Sequence, residues 1–298
     1  MSFSSNVKAE LCRQSLQSRQ SSAAECYGVL LFCNTFSPEL IRIITESRDF
    51  ADRLPRLFKK AFSFGFDLEP TEDDTGKLQF EINDPQKISR IFSSFDLSVS
   101  EHVTLHVNYA LLEDEDDRLG FFRGAFLAGG SVTDPTKRYH LELTTSHYKV
   151  SRETCALLMD TGFSPKQIQR SGNSILYFKQ SDYIEDFLTA IGAPISAMGV
   201  MEAKVEKDLR NDVNRRVNCE TANLDKAVDA SMEQIAAIRA LEKRDLLETL
   251  SPKLRQTARL RMDNPEATLT ELAEMFEPPL SKSAINHRLR KLVELSKT

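Results

Sequence analysis

The chain has 298 residues, 41% hydrophobic and 28% charged, which excludes a wholly disordered protein and leaves room for two ordinary domains. No stretch approaches the roughly 20 apolar residues needed to cross a bilayer, so no membrane association is expected. The net charge of -5 is uneven: residues 1–250 balance to -8 and residues 251–298 to +3, the pattern of an anion-binding module on an acidic body.

The opening residues, Met1-Ser2-Phe3-Ser4-Ser5-Asn6-Val7-Lys8, carry no apolar core of a secretory signal. Residues 1–20 are taken as an N-terminal segment. Ala23 to Phe32 predicts a helix, Leu40 to Thr45 a strand, and Asp49 to Phe64 a helix with Phe50, Leu54, Leu57, Phe58 and Ala61 on one face. Lys77 to Ile82 alternates as a half-buried strand, and Asp84-Pro85 opens a helix bearing Ile88, Ile91 and Phe92. The order then recurs: helix Leu119–Ala128, strand Arg138–Thr144, helix Ser151–Thr161 stopped by Gly162, strand Ser174–Phe178, helix Tyr183–Ile191. Gly28 and Gly124 mark equivalent points of an internal duplication of a small α+β unit. After Pro194 the strand signal ends. Residues 195–250 read as a charged helical linker with an apolar stripe, Leu224, Val228, Ile235, Ile238 and Leu241, that needs a partner.

Glu113-Asp114-Glu115-Asp116-Asp117 could bind metal, but adjacent carboxylates read better as a solvated loop or helix start. His102, His106, His140 and His147 read as polar residues on or beside strands. The five cysteines, Cys12, Cys26, Cys33, Cys155 and Cys219, form no C-x-x-C pair, which favours reduced thiols in a cytoplasmic protein. No cofactor or metal is expected.

The duplicated helices are Cys26-Tyr27-Gly28-Val29-Leu30-Leu31-Phe32-Cys33-Asn34 and Phe122-Arg123-Gly124-Ala125-Phe126-Leu127-Ala128-Gly129-Gly130. The second resembles the LAGLIDADG motif of homing endonucleases. That resemblance implies two helices packed along a pseudo-twofold axis, with an acidic residue before the final glycine holding a divalent metal. Aligned on the third-position glycine, the acidic position falls on Cys33 and Gly129, and neither supplies a carboxylate. Asp134, in Thr133-Asp134-Pro135, reads as a turn residue. The body therefore looks like a nuclease scaffold without its nuclease.

The tail reads as a helix-turn-helix. Thr268-Leu269-Thr270-Glu271 is a capping box, Glu277-Pro278-Pro279-Leu280 breaks the helix, and Ser281 caps a second helix from Lys282 to Leu295. An upstream helix, Lys253–Arg261, completes three. Ile285, Leu289 and Leu292 face a core. Ser283, Asn286, His287 and Arg290 are expected to point at the groove of double-stranded DNA, and Lys282, Arg288 and Lys291 at phosphates. His287 has no carboxylate or thiol partner at ligand spacing and is not read as catalytic.

Taken together, the chain resembles the bacterial WhiA family. The resemblance rests on Phe122 to Val132, Asp134-Pro135 with Tyr139-His140-Leu141-Glu142, Asn214-Arg215 with Val217 to Leu224, and Ser281-Lys282-Ser283 with Asn286 to Leu292. It implies a non-catalytic, DNA-binding regulator tied to cell division and chromosome segregation, with sporulation control in filamentous relatives, located in the cytoplasm on the nucleoid. The fold expected is α+β: a degenerate LAGLIDADG-like domain at 21–194 (repeats about 21–115 and 116–194), a linker at 195–250, and an all-α helix-turn-helix domain at 251–298. In sporulating relatives the family acts with an iron–sulfur partner protein, so a regulatory protein partner is carried as an implication of the resemblance. Two alternatives stay open: a metal-dependent endonuclease of the homing type, and a protein-docking platform anchored to DNA.

Overall fold

A computed structural model describes residues 2–71, 74, 76–97 and 104–297; His102 lies outside them. The chain forms two compact units, residues 1–208 and 209–298.

In the first unit, α1 (Phe3–Cys12) starts at Ser2, whose hydroxyl accepts from the Ser5 amide at 3.1 Å. Val7 and Leu11 on it are fully buried, so α1 packs into the body, while residues 13–20 are mostly exposed. Next, α2 (Arg19–Phe32) is capped by Ser18 and followed by β1 (Thr35–Phe36), β2 (Ile41–Thr45), α3 (Arg48–Phe62), β3 (Leu78–Ile82) and α4 (Pro85–Ser94). The second repeat runs α5 (Glu115–Gly129), β4 (Gly130–Val132), β5 (Leu141–Thr145), α6 (Tyr148–Asp160), β6 (Lys166–Arg170), β7 (Asn173–Phe178) and α7 (Ser181–Ile191). The acidic run Glu113–Asp117 opens α5, where carboxylates oppose the positive helix end.

Each repeat builds one antiparallel sheet, ordered β1-β2-β3 and β4-β5-β7-β6. Ile43 pairs with Phe80 in the first and Leu143 with Leu176 in the second. In β2, β3 and β5 buried residues alternate with half-buried ones, as a sheet with one face on the core requires. The second repeat has an extra strand. A two-residue turn, Ser171-Gly172, takes positive φ at both positions and folds β6 back on β7. At the corresponding edge of the first sheet there is a lone bridge, Leu68 to Glu81. All five residues of β6 are exposed, so no apolar alternation announced it. His106 lies in an irregular segment rather than on a strand, while His140 and His147 flank β5.

The helix α8 (Pro194–Lys243) is continuous. In the second unit its last turns bury Ile238 and Leu241 against α9 (Pro252–Asp263), α10 (Leu269–Glu274) and α11 (Lys282–Lys297), around Ala258, Leu272, Phe276, Ile285, Leu289 and Leu292. The apolar stripe is thus divided: its end packs, while Leu224 and Val228 remain exposed.

Candidate nucleic-acid interface

The homing-endonuclease likeness turns on α2 and α5, which lie against each other in the first unit. Here two glycines are required by distance. A Cβ on Gly28 would stand 2.0 Å from the Phe121 carbonyl oxygen, and one on Gly124 would stand 2.0 Å from that of Glu25. The two helices therefore touch backbone to backbone at equivalent points of the duplication.

The positions where that scaffold would carry metal-binding acids do not fit a divalent cation. The Cys33 thiol donates to the Leu30 and Thr35 carbonyl oxygens at 3.1 and 3.2 Å. Loss of solvent pushes it up to about 12, so it is not a thiolate at neutral pH. Gly129 has no donor, and a Cβ there would meet the Thr144 carbonyl oxygen at 2.4 Å. Asp134 is occupied as a turn residue: its Oδ1 accepts from the Thr136 amide at 2.9 Å and hydroxyl at 2.6 Å. Among the described residues, no group of three or more His, Cys, Asp or Glu is arranged to hold a metal ion.

Close beside the helix pair sits a buried charge cluster that sequence reasoning missed. Arg53 on α3 forks onto Glu25 of α2 at 2.7 and 2.9 Å, and its Nη1 donates to the Cys12 and Gln14 carbonyl oxygens. Arg123 of α5 adds a third charge, 3.4 Å from Glu25 Oε2. Each oxygen of the buried carboxylate thus faces at least one donor, which is what makes such a pair tolerable away from water. A buried arginine inside an otherwise apolar face was the available signal, but its partner lies 28 residues away.

In the second unit the turn chemistry is as the residues dictate. Thr268 Oγ1 accepts from the Glu271 amide at 3.2 Å while Glu271 Oε2 accepts from the Thr268 amide at 2.7 Å, a closed capping box. Hydrogen bonding to that amide holds the Glu271 carboxyl below its ordinary range. Across the proline turn the Leu280 amide donates to the Ala273 carbonyl at 2.9 Å, and Ser281 Oγ accepts from the Ala284 amide at 3.2 Å to start α11.

The seven tail residues do not all take the same position. Lys282, Ser283, His287, Arg290 and Lys291 are exposed, and Asn286 is half-buried. Among the described residues no side-chain partner stands against Lys282, Ser283, Asn286, His287 or Arg290, and Lys291 reaches Glu294 at 3.3 Å. Asn286 and Lys282 line a cleft of about 860 Å³ shared with Leu224, Val228 and Ile235 of α8 and with Pro265 to Thr270. The first turns of α11 therefore border open space rather than a packed contact. Arg288 is set apart. It is half-buried, with its guanidinium 5.4 Å from the Phe276 ring and Nη1 3.5 Å from Thr257 Oγ1. It braces α11 against α9 and the end of α10. Its spacing from Ile285 and Leu292 already put it beside the core stripe.

Comparison with known proteins places both units. A profile described as the WhiA LAGLIDADG-like domain matches residues 118–210, and the WhiA C-terminal HTH domain matches residues 213–296. A probable cell division protein WhiA of Ruminiclostridium cellulolyticum is 38% identical over 306 residues, covering 99% of this chain and 97% of the relative. The same-named protein of Clostridium acetobutylicum is 34% identical, covering 99% and 98%. Among solved structures, full-length DUF199/WhiA from Thermotoga maritima superposes with a TM-score of 0.62 at 25% identity, over 100% of this chain and 98% of that one. The N-terminal LAGLIDADG domain of DUF199/WhiA, at 23% identity and a TM-score of 0.51 over 64% and 92%, shares the fold.

Proposed function

This chain belongs to the WhiA family, and from that premise we propose that it is a non-catalytic, sequence-specific DNA-binding regulator. The observation that carries the reading is the open side of α11, where Lys282, Ser283, Asn286, His287 and Arg290 stand without side-chain partners among the described residues. A helix presenting its first turns to a major groove needs that arrangement. Asn286 suits adenine and Arg290 guanine, each through two hydrogen bonds, with Ser283 and His287 beside them. Lys282 and Lys291 serve phosphates. Arg288 contributes by holding α11 in place.

The relatives' name supports a role in cell division. Chromosome segregation, a cytoplasmic, nucleoid-bound location and a regulatory protein partner belong to the same proposal. A gel-shift titration tests its core. Arg290→Ala weakens a preferred site by about 1–3 kcal/mol, and Lys282→Ala weakens all sequences alike. Full affinity after removal of residues 251–298 overturns it. The non-catalytic part is supported by Cys33 and Gly129 standing where acids would be needed. Nicking of supercoiled plasmid with Mg²⁺ or Mn²⁺ that survives stringent purification would reverse it.

A further inference from the structure

The middle of α8 carries a feature that the α11 reading does not use. Every residue from Asp208 to Ala230 is exposed. Within that stretch lie four of the chain's eleven asparagines: Asn211, Asn214, Asn218 and Asn223. Asparagine is a poor residue for a helix interior, because its amide competes for backbone hydrogen bonds. An exposed helix that only had to be a helix would use alanine, glutamate or lysine here. Local choices that work against the local structure mark positions held for another reason.

Their placement gives that reason. At about 100° per residue, Asn211, Asn214, Arg215, Asn218 and Ala222 fall on one face, while Asp212 and Glu220 point away from it. From Asn211 to Ala222 the only charged member of this face is an arginine. Among the described residues the amides of Asn211, Asn214 and Asn218 have no hydrogen-bonding partner. Arg215 reaches Asp212 only at 3.9 Å, with both side chains more than two-thirds exposed.

A row of unpaired amides with an arginine and a methyl is the chemistry that reads base edges: amide to adenine, guanidinium to guanine or phosphate, methyl to thymine. It suits a protein partner poorly, since the face holds no aromatic or large apolar anchor to bury. We propose that residues 211–222 of α8 form a second DNA-reading surface, contacting adenine-containing duplex through Asn211, Asn214 and Asn218. This rests on the proposed reading of the chain as a sequence-specific DNA binder, and the test separates this surface from α11.

The test uses the full chain and a labelled duplex selected by the wild-type protein from a random pool. Asn214→Ala with Asn218→Ala keeps the charge and favours the helix, so a loss of binding cannot be assigned to unfolding. Affinity for the selected duplex is expected to fall about tenfold or more, with an unchanged slope of log affinity against log salt, because asparagine releases no counterions. Reselection with the variant loses adenine-enriched positions. Wild-type affinity and an unchanged selected motif overturn the proposal. If Arg290→Ala weakens binding and the asparagine pair does not, this surface falls and α11 stands. The reverse result removes α11 and leaves this surface. A pool from which no duplex emerges overturns both.

Discussion

Replacing Gly124 by alanine sets two opposing effects against each other, and their sizes decide the sign. Alanine is the better helix former by about 1 kcal/mol, and Gly124 lies inside α5. Against this, the new Cβ would stand 2.0 Å from the Glu25 carbonyl oxygen and 2.9 Å from the Val29 amide nitrogen. Both are backbone atoms in a neighbouring helix, so no side chain can swing away. α2 and α5 must part by more than about 1 Å, to reach ordinary contact near 3.5 Å, and the buried rings of Phe121, Phe122 and Phe126 on α5 lose contact as they do. Overpacking of this kind costs about 1–3 kcal/mol, and a backbone obstacle puts it at or above the upper end. The net expectation is a loss of about 2 kcal/mol. Gly28→Ala is the mirror case, with 2.0 Å to the Phe121 carbonyl oxygen. Because either change forces the same separation, the double variant loses less than the sum. The assay is built into the composition. The chain has no tryptophan and six tyrosines, all between Tyr27 and Tyr183, so tyrosine fluorescence in a urea titration reports the first unit alone. Gly65→Ala is the control, since a Cβ there meets only the Glu69 carboxylate at 3.5 Å. An unfolding midpoint for Gly124→Ala at or above wild type would refute the backbone-contact argument.

Three further outcomes follow from the same geometry. Arg53→Met leaves Glu25 buried with only the longer Arg123 contact, and the first unit should lose about 3 kcal/mol, the lower end for breaking a buried pair; adding Glu25→Gln should restore part of it in the same titration, and no restoration would show that packing rather than charge is lost. Gly129→Asp places a Cβ against the Thr144 carbonyl oxygen, so the midpoint should fall and Mg²⁺ should not raise it; a Mg²⁺-dependent recovery would mean that a carboxylate can be seated there after all. Burial pushes the thiols of Cys12 and Cys33 up to about 12 and that of Cys26 well above its ordinary value, whereas Cys219 is exposed. A thiol-directed chromogenic reagent at neutral pH should therefore find Cys219 quickly and Cys155 slowly, with all five thiols reacting only in denaturant; rapid reaction of three or more would contradict the packing around α1 and α2.

The residues alone reveal anything set by one element's own geometry. Alternation in Leu78–Ile82, the apolar face of α3 and the capping box at Thr268 follow from strand and helix geometry that is the same wherever the element ends up. Where local apolar pattern is faint, as in α1 and β6, the element itself went unannounced, because packing or a tight turn rather than periodicity holds it. Only the tertiary structure could show that Arg53 is buried on Glu25, that Arg288 braces Phe276, and that the stripe on α8 packs at Ile238 yet stays open at Leu224. Each of those depends on which distant segment arrives opposite a side chain. Desolvation and pairing are properties of that meeting, and no stretch of chain contains them by itself.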